Sequence, residues 1–195
     1  MREVRGGLVS SDDFHYETRM DELSMKAARD AYLAENGFSV EAYDNRWTPA
    51  TFFGLFDFAV PNTPKHRWAI MRHDLHHALT GYGTDQVGEG EISVWEARRG
   101  LRGAGVYVGS IIVTGALFGC LLSPKRMWRA WRTAGQGPSL LGIDDDYERL
   151  LECDLATLRS RLGVSPGGVC GSGRGLHARA PAAPTTTVRQ PGQGR

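Results

Sequence analysis

Apolar residues recur at helical spacing along most of this chain, with glycines and prolines marking the breaks. Between Asp12 and Asn36, Met20, Leu23, Met25, Ala28, Tyr32 and Leu33 repeat at roughly 3.6-residue intervals among helix formers, and Asn36-Gly37 is a natural stop. The pattern predicts a first helix over residues 12–36. From Trp47 to Val60 the period changes: Phe52, Phe53, Phe56 and Phe58 form an aromatic run broken by Gly54 and Asp57, with Pro49 upstream. Phe56-Asp57-Phe58 alternates in the manner of a strand, so a short β-hairpin near residues 50–60 is expected, the competing reading being an apolar loop packed on the core. Pro61-Asn62-Thr63-Pro64 then opens a second helix, with Thr63 as its cap and Pro64 in its first position. It should run from Pro64 to about Leu79 and stop near Gly81, carrying an apolar strip of Trp68, Met71, Leu75 and Leu79. A third helix begins near Val87 or Gly88 and ends at Gly100, with Glu89, Ile92, Ser93 and Glu96 on one face. The Gly81-Tyr82-Gly83-Thr84-Asp85 loop is short enough to make the two helices antiparallel neighbours.

Residues 104–122 contain no charge, which is long enough to raise the question of a membrane span. Gly105, Gly109, Ser110, Thr114, Gly115 and Gly119 dilute the hydrophobicity, and basic residues lie on both flanks, leaving no orientation signal. The main expectation is therefore a buried helix whose small residues allow close packing or line a lipid slot. Lys125 to Arg132 places Trp128 and Trp131 among Arg126, Arg129 and Arg132. Two readings stand side by side here, a bilayer-interface helix and an ordinary surface helix with a buried stripe. Asp144-Asp145-Asp146 reads as an acidic helix start rather than a second metal site. Leu150, Leu151, Leu155, Leu158 and Leu162 supply core contacts after it.

These elements make a mainly α, single-domain helical bundle with one short hairpin. Its expected limits are a flexible N-terminus over 1–11, a helical domain over 12–163 and a disordered tail over 164–195. The tail is rich in Gly, Pro, Ala, Ser and Thr and has no acidic residue, so it buries too little apolar surface to offset its chain entropy. A chain of 195 residues suits one core. Its formal charge of +1, from 23 basic and 22 acidic residues, provides no field for nucleic acid. Cys120, Cys153 and Cys170 are odd in number and widely spaced, as in a reducing compartment, and the N-terminus has no secretory signal pattern. A cytoplasmic protein is expected. There is no G-x-S-x-G elbow, no P-loop and no strand before Gly103-Ala104-Gly105 to complete a dinucleotide fingerprint.

The chemistry concentrates at His73-Asp74-Leu75-His76-His77, with Glu89 following in Gly88-Glu89. On a helix, His77 lies ~40° and Asp74 ~100° from His73, so the three fit one face, and Glu89 reaches it from the next helix. Two imidazoles and two carboxylates suit zinc first, then iron or manganese. A His73, His76, His77 trio is also geometrically open, since His76 lies ~60° to the other side of His73. So is a metal-free cluster held by hydrogen bonds.

His73-Asp74-x-x-His77-x-x-x-Gly81, with Gly88-Glu89 after it, resembles the signature of the Coq4 family of ubiquinone-biosynthesis proteins. The likeness continues through Trp95-Glu96, Trp128-Arg129-Ala130-Trp131-Arg132 and Leu155-x-x-Leu158-x-x-x-Leu162-Gly163, covering about Pro61 to Val164. The resemblance implies that His73, Asp74, His77 and Glu89 are metal ligands, and it leaves His76 and Glu91 as extras. It implies a mostly helical protein peripheral to membranes, which brings the bilayer-interface reading of Trp128, Arg129, Trp131 and Arg132, as lipid or membrane contacts, level with the ordinary surface-helix reading. The implied substrate is a polyprenylated hydroxybenzoate-type precursor whose ring carboxylate is removed and replaced by hydroxyl. Other quinone-biosynthesis proteins, or a second copy in a homodimer, are the partners it allows. Two alternatives differ in class: a non-catalytic isoprenoid-binding scaffold with a structural metal, and a His-Asp metal phosphohydrolase recruiting His66 or Asp85.

Overall fold

The computed structural model describes residues 23–52 and 56–169. The first helix, α1, is Met25–Glu35, started by the Ser24 hydroxyl accepting from the Ala27 N–H at 3.2 Å and ended by Asn36. The helix predicted over 12–36 thus does not run through Leu23-Ser24, where Ser24 is extended as the cap and bridges Asp154; the predicted stretch over 12–22, like the N-terminal segment over 1–11, lies outside the described residues. A 3₁₀ turn, Val40–Asp44, leads into an antiparallel hairpin of β1 (Trp47–Phe52) and β2 (Phe56–Pro61), in which Trp47 pairs with Pro61 and Phe52 with Phe56. The hairpin expected near residues 50–60 is thus present.

Helix α2 is Pro64–Thr80 and helix α3 is Gln86–Arg99. Thr63 caps α2 by accepting from the His66 N–H at 3.2 Å. Gly81 ends α2 in the left-handed region at φ 78°, where its N–H reaches the His77 carbonyl. The Asp85 carboxylate caps α3 by accepting from the Val87 and Gly88 N–H groups at 2.9 and 2.8 Å. Four further helices follow: α4 (Gly105–Leu122), α5 (Pro124–Ala134), α6 (Tyr147–Glu152) and α7 (Leu155–Leu162). Asp146 stands at the N-cap of α6, so the acidic triplet does open a helix.

One core joins α1, α2, α3, α6 and α7 around Met25, Leu75, Leu79, Ile92, Trp95, Leu150, Leu155, Leu158 and Leu162. Trp68 and Met71, assigned to the apolar strip of α2, are only partly buried, because the strip turns off the core toward the start of the helix. Two buried guanidinium groups bind the ends of elements together through backbone carbonyls. Arg159 on α7 donates to the Leu79 and Ala78 carbonyls at the end of α2, at 3.0 and 3.4 Å. Arg99 stacks on Trp95 and donates to the Ala134, Leu162 and Pro138 carbonyls. Beyond α7, Val164 is buried and the Val169 N–H donates to the Thr80 carbonyl at 2.8 Å, so packed chain continues past the expected domain limit at 163. Residues 170–195 of the expected tail lie outside the described residues.

Helix α4 corrects the expectation of a buried helix. Its small residues are used on one side only, where it lies against α3: a Cβ on Gly90 would come within 2.7 Å of the Gly119 Cα, and one on Gly115 within 2.6 Å of the Ser93 Oγ. Only Val108, Ile112 and Gly119 are buried, while Val106, Leu117 and Leu121 are 93%, 63% and 79% exposed. The small residues therefore mediate helix packing. Among the described residues α4 is the one helix long and apolar enough to cross a membrane, with mean hydropathy 2.0.

Candidate metal centre

The centre is built where α2 ends and α3 begins. His73 and His77 stand one turn apart on α2, and the capped start of α3 puts Glu89 in its first turn. The five-residue turn between them closes tightly because residue 88 has no side chain: a Cβ there would lie 2.2 Å from the Gly83 carbonyl oxygen. As a result His73 Nε2 is 3.1 Å from His77 Nε2 and 3.2 Å from Glu89 Oε2, and His77 Nε2 is 3.5 Å from Glu89 Oε1.

Hydrogen bonds at the far side of each ring set the tautomers. His77 Nδ1 faces the Tyr82 carbonyl at 2.9 Å, an acceptor only, so it carries the proton and Nε2 presents a lone pair. His73 Nδ1 faces Glu96 Oε1 at 2.9 Å and donates to it for the same reason. With both rings neutral, two lone pairs and a carboxylate would point at one another, so the cluster takes a cation between them, either a proton on His73 Nε2 or a metal ion. The edges of 3.1, 3.2 and 3.5 Å agree with the ~3.3 Å expected between tetrahedral ligands bound at ~2.05 Å. His73, His77 and Glu89 therefore form a cluster able to hold a metal ion.

The electrostatics point the same way. Burial works against a charge on His73, yet the Glu96 and Glu89 carboxylates outweigh it and raise the His73 pKa well above its ordinary value. Burial alone would raise the Glu89 and Glu96 carboxyls. The His77 and His73 rings bring Glu89 well below the usual carboxylate range, and His73 and His76 lower Glu96 to about 2. The field that retains a proton on His73 is the field a metal cation would meet. Glu89 is the open side of the cluster, its side chain 45% exposed, whereas His77 is buried and stacked on Tyr32 with ring centroids 5.2 Å apart.

Asp74, the fourth residue assigned by resemblance, is not among the three that converge. It is buried, its Oδ2 accepts from the Tyr43 hydroxyl at 2.6 Å, and burial raises its pKa even though that hydrogen bond opposes the shift. His76 faces away from the cluster. It is fully buried, accepts the Leu140 N–H on Nε2 at 2.8 Å and donates from Nδ1 to Glu96 Oε1 at 2.6 Å. Glu91 pairs with Arg126 at 2.6 and 2.9 Å. His66 lies against Tyr107 and Asp85 caps α3, so neither joins the ligands. Glu96 was visible in the sequence as a residue sharing a face with Glu89 and as part of the Trp95-Glu96 likeness, with no ligand-positioning role attached. The Tyr82 carbonyl gave no sequence signal, since a backbone acceptor has no residue identity.

On α5 three of the four proposed contact residues, Trp128, Arg129 and Arg132, line a shallow groove with Lys125 and Thr133, whereas Trp131 lies under the Arg98 guanidinium at 4.6 Å. Trp128 is 63% and Trp131 41% exposed. Comparison with known proteins adds no identity: no family model, curated protein or solved structure matches this chain.

Proposed function

We propose that this chain is a metal-binding protein of ubiquinone-type quinone biosynthesis that takes a polyprenylated hydroxybenzoate-type precursor and acts at its ring carboxylate. The observation that carries the reading is the pair of Nε2 atoms 3.1 Å apart beside Glu89. It involves three of the positions that carry the motif resemblance. Two imidazoles and one carboxylate are the donor set of catalytic zinc sites, which supports a reactive metal over one that merely ties helices together. Zinc is the expected ion, with iron or manganese suited to the same donors.

When bound, the metal supplies a Lewis acid for the ring carboxylate or a neighbouring ring oxygen. The chain itself contributes the ligands, the fixed tautomers of His73 and His77, and the exposed Glu89 side from which a substrate head group approaches. Loss of the carboxyl group as carbon dioxide leaves an electron pair on the ring carbon, where a proton takes its place. Replacement by hydroxyl is a two-electron oxidation and calls on dioxygen with a redox-active metal or partner. The prenyl tail is matched by the exposed apolar side of α4 and the indoles of α5. Lys125, Arg129 and Arg132 have no carboxylate partner among the described residues, and residues 100–134 contain no Asp or Glu, as suits peripheral contact with an anionic bilayer.

Elemental analysis of the purified protein is expected to find one metal ion per chain, lost in His73→Ala and Glu89→Ala. Lipid extracted from the same preparation should contain a polyprenylated aromatic acid by mass spectrometry. Absence of stoichiometric metal in the parent would refute the metal reading, and a lipid with no aromatic head group would refute the substrate.

A further inference from the structure

We infer that Glu96 is the positioning residue of the metal centre, aligning His73 for the ion while tying the centre to the segment after α5 through His76. The inference rests on the metal reading of His73, His77 and Glu89. Glu96 lies on α3 two turns beyond Glu89, is fully buried, and among the described residues has no Lys or Arg against it. Among the described residues its only hydrogen-bond partners are two imidazoles: Oε1 accepts from His73 Nδ1 at 2.9 Å and from His76 Nδ1 at 2.6 Å. Its other oxygen, Oε2, has no hydrogen-bond partner among the described residues. A carboxylate is costly to bury, and here its two hydrogen bonds set the direction of two rings.

The two rings then do different things. With Nδ1–H held by Glu96, His73 turns Nε2 to Glu89 and His77, and His76 turns Nε2 to accept the Leu140 N–H at 2.8 Å. His73 is thus backed by a carboxylate and His77 by the neutral Tyr82 carbonyl. A carboxylate behind an imidazole raises its basicity as a ligand, so His73 is the stronger donor of the pair. The ordering of residues around Leu140 is coupled to the centre through the same carboxylate, by way of a fully buried ring packed on Trp95 with centroids 5.0 Å apart.

The test is zinc affinity by chelator competition, together with ¹⁵N-edited spectra of the ring protons, in full-length Glu96→Ala and Glu96→Gln. Glu96→Ala should bind one zinc about 10- to 100-fold more weakly. Glu96→Gln keeps an acceptor oxygen of the same reach and should recover part of that loss; it also serves as the readout if the alanine variant does not fold. In Glu96→Ala the His73 Nδ1–H signal should move toward that of a water-bonded proton, while the His77 signal, held by Tyr82, stays in place. A merely structural role would shift both. Affinity within twofold of the parent in both variants overturns the inference. So does complete loss of zinc in both, which would make Glu96 a direct ligand. If the parent itself takes up no zinc, the metal reading fails instead, and the His73 signal alone decides the role of Glu96.

Discussion

Gly88→Ala tests whether the close approach of α3 to the preceding turn builds the metal centre. An added Cβ would lie 2.2 Å from the Gly83 carbonyl oxygen and 2.6 Å from its carbon, against about 3.4 Å where ordinary contact begins. The obstruction is backbone, so the turn must move by roughly 1 Å and no rotamer relieves it. Overpacking of this kind costs ~1–3 kcal/mol, and a blocked backbone belongs near the upper end. Alanine recovers ~1 kcal/mol over glycine in a helix, which leaves a net loss of ~2 kcal/mol. For a chain of this size that lowers the melting temperature by about 4–8 °C. The displaced turn also includes Tyr82, whose carbonyl holds His77 Nδ1 at 2.9 Å, so zinc affinity should fall with stability. Gly83→Ala is the control, because its Cβ meets only Asp85 Oδ2, at 3.6 Å, and should change stability by less than ~0.5 kcal/mol. Thermal melts followed by circular dichroism, paired with chelator competition, read both effects. A Gly88→Ala protein that melts within a degree of the parent and binds zinc equally well would refute the reasoning.

Two further outcomes follow from the same contacts. His76→Ala should retain one zinc per chain but lose about 2–4 kcal/mol of stability in urea titration, since it leaves the Leu140 N–H without its acceptor and opens a cavity beside Trp95; an emptied metal site would instead make His76 a ligand. In co-sedimentation the parent should bind vesicles containing phosphatidylserine better than neutral ones, and Arg129→Ala with Arg132→Ala should weaken this by ~1 kcal/mol per residue, with Leu117→Asp weakening it further. Equal binding of parent and variants would remove α4 and α5 from the membrane contact.

Local signals reported where the helices start and stop. Thr63-Pro64 opens α2 and Gly81 ends it at positive φ, as their residue types require. Asp85 starts α3 just ahead of the expected Val87 or Gly88, because its carboxylate bonds both of their N–H groups. Helical spacing also brought His73 and His77 to one face, and the length of the turn brought Glu89 to meet them. Spacing alone could not separate Asp74 from the ligands. Both directions are available to a side chain 100° round the helix, and the Tyr43 hydroxyl, thirty-one positions away in the chain, takes the Asp74 carboxylate.

The sequence by itself determined the helical class, the hairpin, the caps and the clustering of three side chains able to hold a metal ion, because each of these depends on periodicity or on residues within a few positions of one another. Tertiary structure alone decided which imidazole nitrogen faces the centre. Those choices rest on Glu96 and on the Tyr82 and Leu140 backbone groups, brought in from other elements or presented by main-chain atoms that carry no residue signature. It also decided the exposure of α4. Uncharged composition measures the cost of leaving a helix in water, whereas the number of neighbours that cover it is set by how the other elements pack, and here α3 covers one side through Gly90 and Ser93.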